Sequence, residues 1–278
     1  MPSIYTAPIY RLEELNNLFI ELTAKNCNQR CKNCYINFPI SKKIKDFIPI
    51  EKIKESLDEV KNENIHYIYL TGAEPMTHPD FNAILRYCLK KYNVCICTNG
   101  SFLNEKKIRF LKKVEQENEG NPKQIFFKLS LTHFNELDND KIKYRGHFRQ
   151  IVFALKTLSR YNFSTILSIE NYYKLEENLI KEMFNNIFKE NEIFTTDLQI
   201  ICSHPNFDET SYSKPSRKTD CMFGRTLCST GIYACPFLSG DYRGRVGSSF
   251  QNYSKTISAE TDFCATCSRN NDFMFTIG

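Results

Sequence analysis

Along the first two-thirds of this 278-residue chain, short apolar runs alternate with longer stretches whose apolar positions recur every three or four residues. The short runs predict strands at "LFIELTA" (18–24), "YIYLTG" (67–72), "VCICTNG" (94–100), "QIFFKLSLT" (124–132), "STILSIEN" (164–171) and "TDLQIICS" (196–203). Between them, helical spacing marks "IPIEKIKESLDEVKNENI", "FNAILRYCLKKY", "NEKKIRFLKKVEQE", "FRQIVFALKTLSRY" and "EENLIKEMFNNIFKE". Six strands alternating with helices predict an α/β fold on a parallel sheet, open or curled into part of a barrel.

The rhythm stops near residue 203. "SHPNFDETSYSKPSRKTD" is polar, holds two prolines and predicts a linker over 203–220. Residues 221–278 show little periodicity and carry five of the twelve cysteines, so a bound metal is expected to help them fold. The expected organisation is an N-terminal extension over 1–17, a core over 18–202, the linker, and a cysteine-rich unit over 221–278.

Composition changes this picture little. With 41% hydrophobic and 25% charged residues the chain is neither disordered nor membrane-like, and no apolar run reaches the roughly 18 residues of a span. The N-terminus lacks a signal peptide's basic start and cleavage site, which predicts a cytoplasmic protein. A net charge of +5, spread among 32 acidic residues, argues against a nucleic-acid partner. In a reducing compartment twelve thiols point to metal more than to disulfides.

The chemistry concentrates in "CNQRCKNCY" (27–35), which follows the first strand. Cys27, Cys31 and Cys34 sit where parallel α/β folds place their sites, at the carboxyl end of a strand. A loop this short can turn three thiolates onto one cuboidal iron-sulfur cluster, and with no fourth cysteine nearby one iron stays open. Lys25, Arg30 and Lys32 set positive charge around it. Zinc knuckles also use cysteine pairs two apart, so spacing alone leaves both metals open.

The signature C-x-x-x-C-x-x-C-aromatic resembles that of radical S-adenosylmethionine enzymes. "TGAEP" (71–75) resembles the family's GGEP, and "CTNG" (97–100), "LSLT" (129–132) and "RG" (145–146) follow in the family's order. The resemblance implies a partial (β/α)6 TIM-like barrel, a 4Fe-4S cluster on Cys27, Cys31 and Cys34, and S-adenosylmethionine chelating the open iron. It further implies cofactor contacts from Tyr35, the backbone at Gly72, Ala73 and Glu74, Asn99, Ser130, Arg145 and Asn171. Each also has a plain reading as a turn, a strand hydroxyl or a surface charge. Ala73 stands where the family often has glycine.

"CMFGRTLCSTGIYACP" with "CATC" is similar to the twitch or SPASM-like auxiliary module of the same superfamily. That likeness implies a second 4Fe-4S cluster on Cys221, Cys235, Cys264 and Cys267. Cys228 is an extra thiol, open to three roles: ligand in place of Cys221, spare thiol, or hydrogen donor to a substrate radical. Cys88, Cys95, Cys97 and Cys202 are expected to be packed thiols, and His133 either a turn residue or a proton-transfer group at the barrel mouth. The implied partners are a small-molecule or short peptide substrate and a flavodoxin- or ferredoxin-type electron donor. Some fifteen residues before the first strand tilt the expectation toward the small molecule.

Overall fold

The computed structural model describes residues 9–34, 47–117, 122–202, 223–259, 261 and 264. A short strand, β1 (Ile9–Arg11), precedes six parallel strands that stand side by side in chain order. These are β2 (Asn17–Thr23), β3 (Tyr67–Gly72), β4 (Asn93–Cys97), β5 (Ile125–Leu131), β6 (Thr165–Asn171) and β7 (Thr196–Cys202). Connecting helices are α1 (Ile50–Glu59), α2 (Phe81–Leu89), α3 (Glu105–Gln116), α4 (Glu136–Ile142), α5 (His147–Arg160) and α6 (Glu177–Glu190). The result is an α/β fold whose parallel sheet resembles the partial barrel expected.

The helices form where the apolar spacing puts them. In α2 the buried Phe81, Ile84, Leu85 and Cys88 follow i, i+3, i+4, i+7, so one stripe faces the sheet. Cys88 is therefore a core residue. At the start of α3, Asn104 accepts a hydrogen bond from the Lys107 N–H and satisfies one of the helix's unpaired donors. Helix α4 has no counterpart in the apolar pattern. It is seven residues long and buries Asn139 and Ile142, too few for a period; its signal is the cap, Asn135, which accepts from the N–H groups of Leu137 and Asp138.

Parity along the strands separates two environments. Leu18, Ile20, Leu22, Ile68, Leu70, Val94 and Ile96 pack with the helices in the main apolar core. Their neighbours Phe19, Tyr69, Cys95 and Cys97 point the other way, into the concave lumen, with Ala234, Cys235, Phe237 and Cys264. Phe19 stacks on Tyr69 at 4.6 Å between ring centres, and Phe223 tilts against both at 5.8 and 5.9 Å. One part of the lumen is thus filled with aromatic rings.

Beyond the linker region, which lies outside the described residues, the chain returns to the sheet. Strand β8 (Arg225–Cys228) pairs parallel with β2, and β9 (Gly231–Tyr233) and β10 (Arg245–Gly247) follow antiparallel. The order β10-β9-β8-β2-β3-β4-β5-β6-β7 makes a nine-stranded sheet. Gly231 turns this hairpin at φ +145°, and a side chain there would meet the Gly247 carbonyl at 2.6 Å. A last strand, β11 (Thr256–Ser258), pairs with β1. Among the described residues no helix is long and apolar enough to cross a membrane.

Candidate active site

The cysteine loop leaves β2 through Thr23, whose hydroxyl accepts from the N–H groups of Lys25 at 3.3 Å and Asn26 at 3.0 Å. That local turn frees the next residues to arch over the strand ends. The Gln29 N–H donates to Cys27 Sγ at 3.3 Å, Arg30 donates to the Cys27 carbonyl at 2.7 Å, and the Lys32 N–H is anchored on the Ile142 carbonyl at 2.8 Å. Cys27, Cys31 and Cys34, all half-buried, line one cavity of about 270 Å3. Burial raises the Cys27 and Cys31 thiols above their ordinary value, and the Lys143 ammonium pulls Cys31 partway back.

Three thiols sharing a cavity wall suit a cuboidal cluster, which is larger than an ion.

The "TGAEP" turn closes the cavity beside this loop. Gly72 holds φ +125°, and a Cβ there would fall 2.3 Å from the Thr23 carbonyl oxygen, so only glycine fits. The N–H groups of Ala73 and Glu74 donate to the carbonyls of Thr23 at 2.8 Å and Asn26 at 3.0 Å, which ties the turn to the base of the cysteine loop. The positive φ belongs to Gly72 and not to Ala73, so alanine costs nothing there. Glu74 points inward. Its fully buried carboxylate accepts from the Met76 N–H at 3.1 Å, the Thr98 hydroxyl at 2.8 Å and the Asn99 N–H at 2.9 Å, while burial pushes its pKa up to about 7. It thus braces the next loop instead of facing the cavity.

Asn99 reaches Cys27 Sγ at 3.5 Å and Asn28 Oδ1 at 3.0 Å. Behind it stands His147, buried at the start of α5 and absent from the sequence expectations. Its ring meets the Asn139 amide at 3.3 Å and the Asn99 backbone, and burial with the nearby Lys143 lowers its pKa to about 3. A neutral imidazole therefore joins α4, α5 and the "TNG" loop. Asn139 completes the chain by accepting from the Thr132 N–H at 3.0 Å and the Thr132 hydroxyl at 3.2 Å. Neither residue carries a motif; the Asn135 cap was the one available signal that a helix would bring Asn139 here.

Besides Glu74, two expected contacts do not reach the cavity. Arg145 is exposed and off its wall; Lys143, two residues earlier, lines it and donates to Ser130 Oγ at 3.2 Å. The turn at 143–146 aims the lysine inward and the arginine outward. Asn171 is occupied with the loop after β6, giving to the Leu175 carbonyl at 2.7 Å and accepting from the Leu175 N–H at 2.8 Å. Ser130 lines the cavity, as does Glu170, to which Asn33 donates. His133 accepts from the Asn135 N–H at 2.8 Å, a turn role. Tyr35, Cys221 and Cys267 lie outside the described residues.

In the tail, Cys235 and Cys264 belong to the lumen cluster, with Cys264 Sγ 3.2 Å from Thr261 Oγ1. Cys228 is fully buried beside Thr230 Oγ1 at 3.1 Å, and burial with the neighbouring Glu21 raises its thiol. It does not line the cavity that holds Cys27, Cys31 and Cys34.

Residues 22–184 match the model of the radical SAM superfamily, more than half of the chain and every residue that lines the cavity of Cys27, Cys31 and Cys34. The chain belongs to the radical SAM superfamily. Membership implies a 4Fe-4S cluster and S-adenosylmethionine, and makes the chain an enzyme in preference to a zinc-held structural protein. The antilisterial bacteriocin subtilosin biosynthesis protein AlbA of Bacillus subtilis (strain 168) is 30% identical over 141 residues, 50% of this chain and 29% of AlbA. Streptococcus suis SuiB bound to precursor peptide SuiA superposes with a TM-score of 0.64 at 14% identity, over 95% of this chain and 66% of SuiB. The structure of anSMEcpe with bound AdoMet gives 0.62 at 16% identity, over 86% of this chain and 78% of that one. The chain thus spans under a third of AlbA's length and about two-thirds of SuiB's, and the two solved structures bear on the fold.

Proposed function

We propose that this chain is a peptide-modifying radical SAM enzyme that holds its cluster on Cys27, Cys31 and Cys34 and its cosubstrate against the ends of β3, β4 and β5. The observation that carries this is the shared cavity: three cysteines, the Gly72–Ala73 turn, Asn99, Ser130 and Lys143 all face one space. When bound, the reduced cluster supplies the electron that splits S-adenosylmethionine into methionine and a 5′-deoxyadenosyl radical.

The protein's part is placement. An ammonium group needs acceptors, and since the N–H groups of Ala73 and Glu74 are already donated, the carbonyls of the Gly72–Ala73 turn take that role. Lys143, held by Ser130, offers the positive charge for a carboxylate, in place of Arg145. Asn99 offers its amide toward the ribose side. A peptide substrate is favoured over a small molecule because AlbA serves bacteriocin biosynthesis and SuiB was captured with its precursor peptide. A flavodoxin- or ferredoxin-type protein is the proposed electron donor.

Cys221, Cys235, Cys264 and Cys267 are the proposed ligands of an auxiliary 4Fe-4S cluster. Placement of Cys235 and Cys264 in one lumen cluster supports this. Anaerobic reconstitution is expected to give about eight irons per chain. Dithionite-reduced protein is expected to convert S-adenosylmethionine to 5′-deoxyadenosine and methionine, and Cys31→Ala to abolish that conversion. Unchanged turnover in Cys31→Ala would overturn the cluster assignment.

A further inference from the structure

Cys97 was expected to be a packed thiol, and its surroundings are those of a reactive one. It ends β4 on the lumen face and lines the same cavity as Cys27, Cys31 and Cys34, whereas Cys228 does not. Lys128 on β5 is its direct partner in the parallel register, and both side chains are buried. Cys95 lies two residues back on the same lumen face, close enough for its thiol to act on the charge of Cys97. Two thiols and an amine so packed form a polar group within a lumen that also holds Phe19, Tyr69, Phe126 and the tail's Cys235 and Cys264.

From this placement we propose that Cys97 is the hydrogen-atom donor of the barrel, quenching a carbon radical formed in the cavity, with Lys128 as its proton source. This rests on the radical reading above. In the step, the Cys97 S–H bond breaks and a C–H bond forms, leaving a thiyl radical on Cys97. One electron from the low-potential donor that also reduces the cluster returns the thiyl to a thiolate, and the Lys128 ammonium reprotonates it. Burial lowers the Lys128 pKa to about 7, against the pull of the two thiols, so the amine can release and regain a proton at neutral pH.

Two measurements test this. First, the reconstituted enzyme is treated anaerobically with iodoacetamide and the alkylated peptides are counted by mass spectrometry. Cys97 is expected to react well ahead of Cys88, which lies in the helix-side core; labelling no faster than Cys88 would overturn the assignment. Second, the reconstituted enzyme is exchanged into D2O, reduced with dithionite and given S-adenosylmethionine alone. The thiol then carries deuterium, and part of the 5′-deoxyadenosine is expected to be monodeuterated. Cys97→Ser is expected to lower that fraction severalfold while still cleaving S-adenosylmethionine, and Lys128→Met to lower it less. An unchanged fraction in Cys97→Ser, or a loss confined to Cys228→Ala, overturns the proposal and leaves the radical reading standing. No 5′-deoxyadenosine from the wild type overturns both.

Discussion

At the scale of single residues, two buried carboxylates set the terms. Glu74 satisfies three donors, so Glu74→Ala leaves Met76 N–H, Thr98 and Asn99 N–H unpaired in a buried site; a loss of roughly 3 kcal/mol is expected, read as a lower urea midpoint. Glu21, on the lumen face of β2, is pushed up to about 7 by burial, with Ser239 pulling the other way. An acid whose folded pKa is raised holds its proton longer in the native state, so its contribution to stability falls as pH climbs from 4.5 to about 7 and is level above that. Glu21→Gln should remove that contribution, leaving the one from Glu74 in the same window, and gain about 3 kcal/mol over the wild type at pH 8, with no difference at about pH 4. Equal stabilities at both pH values would show that Glu21 ionises freely. For the cosubstrate, Lys143→Ala is expected to weaken S-adenosylmethionine binding by about 2 kcal/mol, roughly thirtyfold, and Arg145→Ala to leave it unchanged, by calorimetry. The three cysteines were legible in the sequence because their spacing is local. Lys143 was not, because its direction depends on how the turn from α4 to α5 hangs beneath the cysteine loop.

Among elements, the six strands and five of the helices could be read from periodicity, each long enough to repeat its pattern. Strands β8, β9, β10 and β11 could not, having three or four residues apiece. Their pairing is set by partners far away in sequence, as when β8 meets β2, and no local rhythm records that. The seven-residue α4 escaped for the same reason, though it supplies Asn139 to the network behind Asn99. Its cap gives a direct test: Asn135→Ala should cost about 1 kcal/mol, measured by thermal unfolding. Gly72→Ala should do more damage than its size suggests. The added carbon would press on the Thr23 backbone, which cannot step aside, so the turn must move away from the cysteine loop and cluster incorporation should fall.

For the whole molecule, one sheet divides two kinds of interior. Its convex face meets the helices through mostly aliphatic side chains together with rings such as Phe127 against Phe163, and its concave face gathers aromatic rings, thiols and the charged groups Glu21, Lys128 and Glu170. Parity alone could not tell these faces apart in the sequence, because both are buried and read as continuous apolar strands. The division matters for function: helix-side packing fixes the strand ends, and the strand ends and the loops leaving them carry most of the groups around the cavity, with Lys143 and His147 added from the turn after α4 and the start of α5. The account therefore depends on three thiolates presenting a metal centre with one open position to that cavity. The most direct measurement is electron paramagnetic resonance of the anaerobic, dithionite-reduced protein before and after S-adenosylmethionine is added, using a variant with Cys221, Cys235, Cys264 and Cys267 replaced by alanine so that one centre is observed. A reduced 4Fe-4S signal whose g values shift on addition is the expected result; a signal that the cosubstrate leaves unaltered would contradict it.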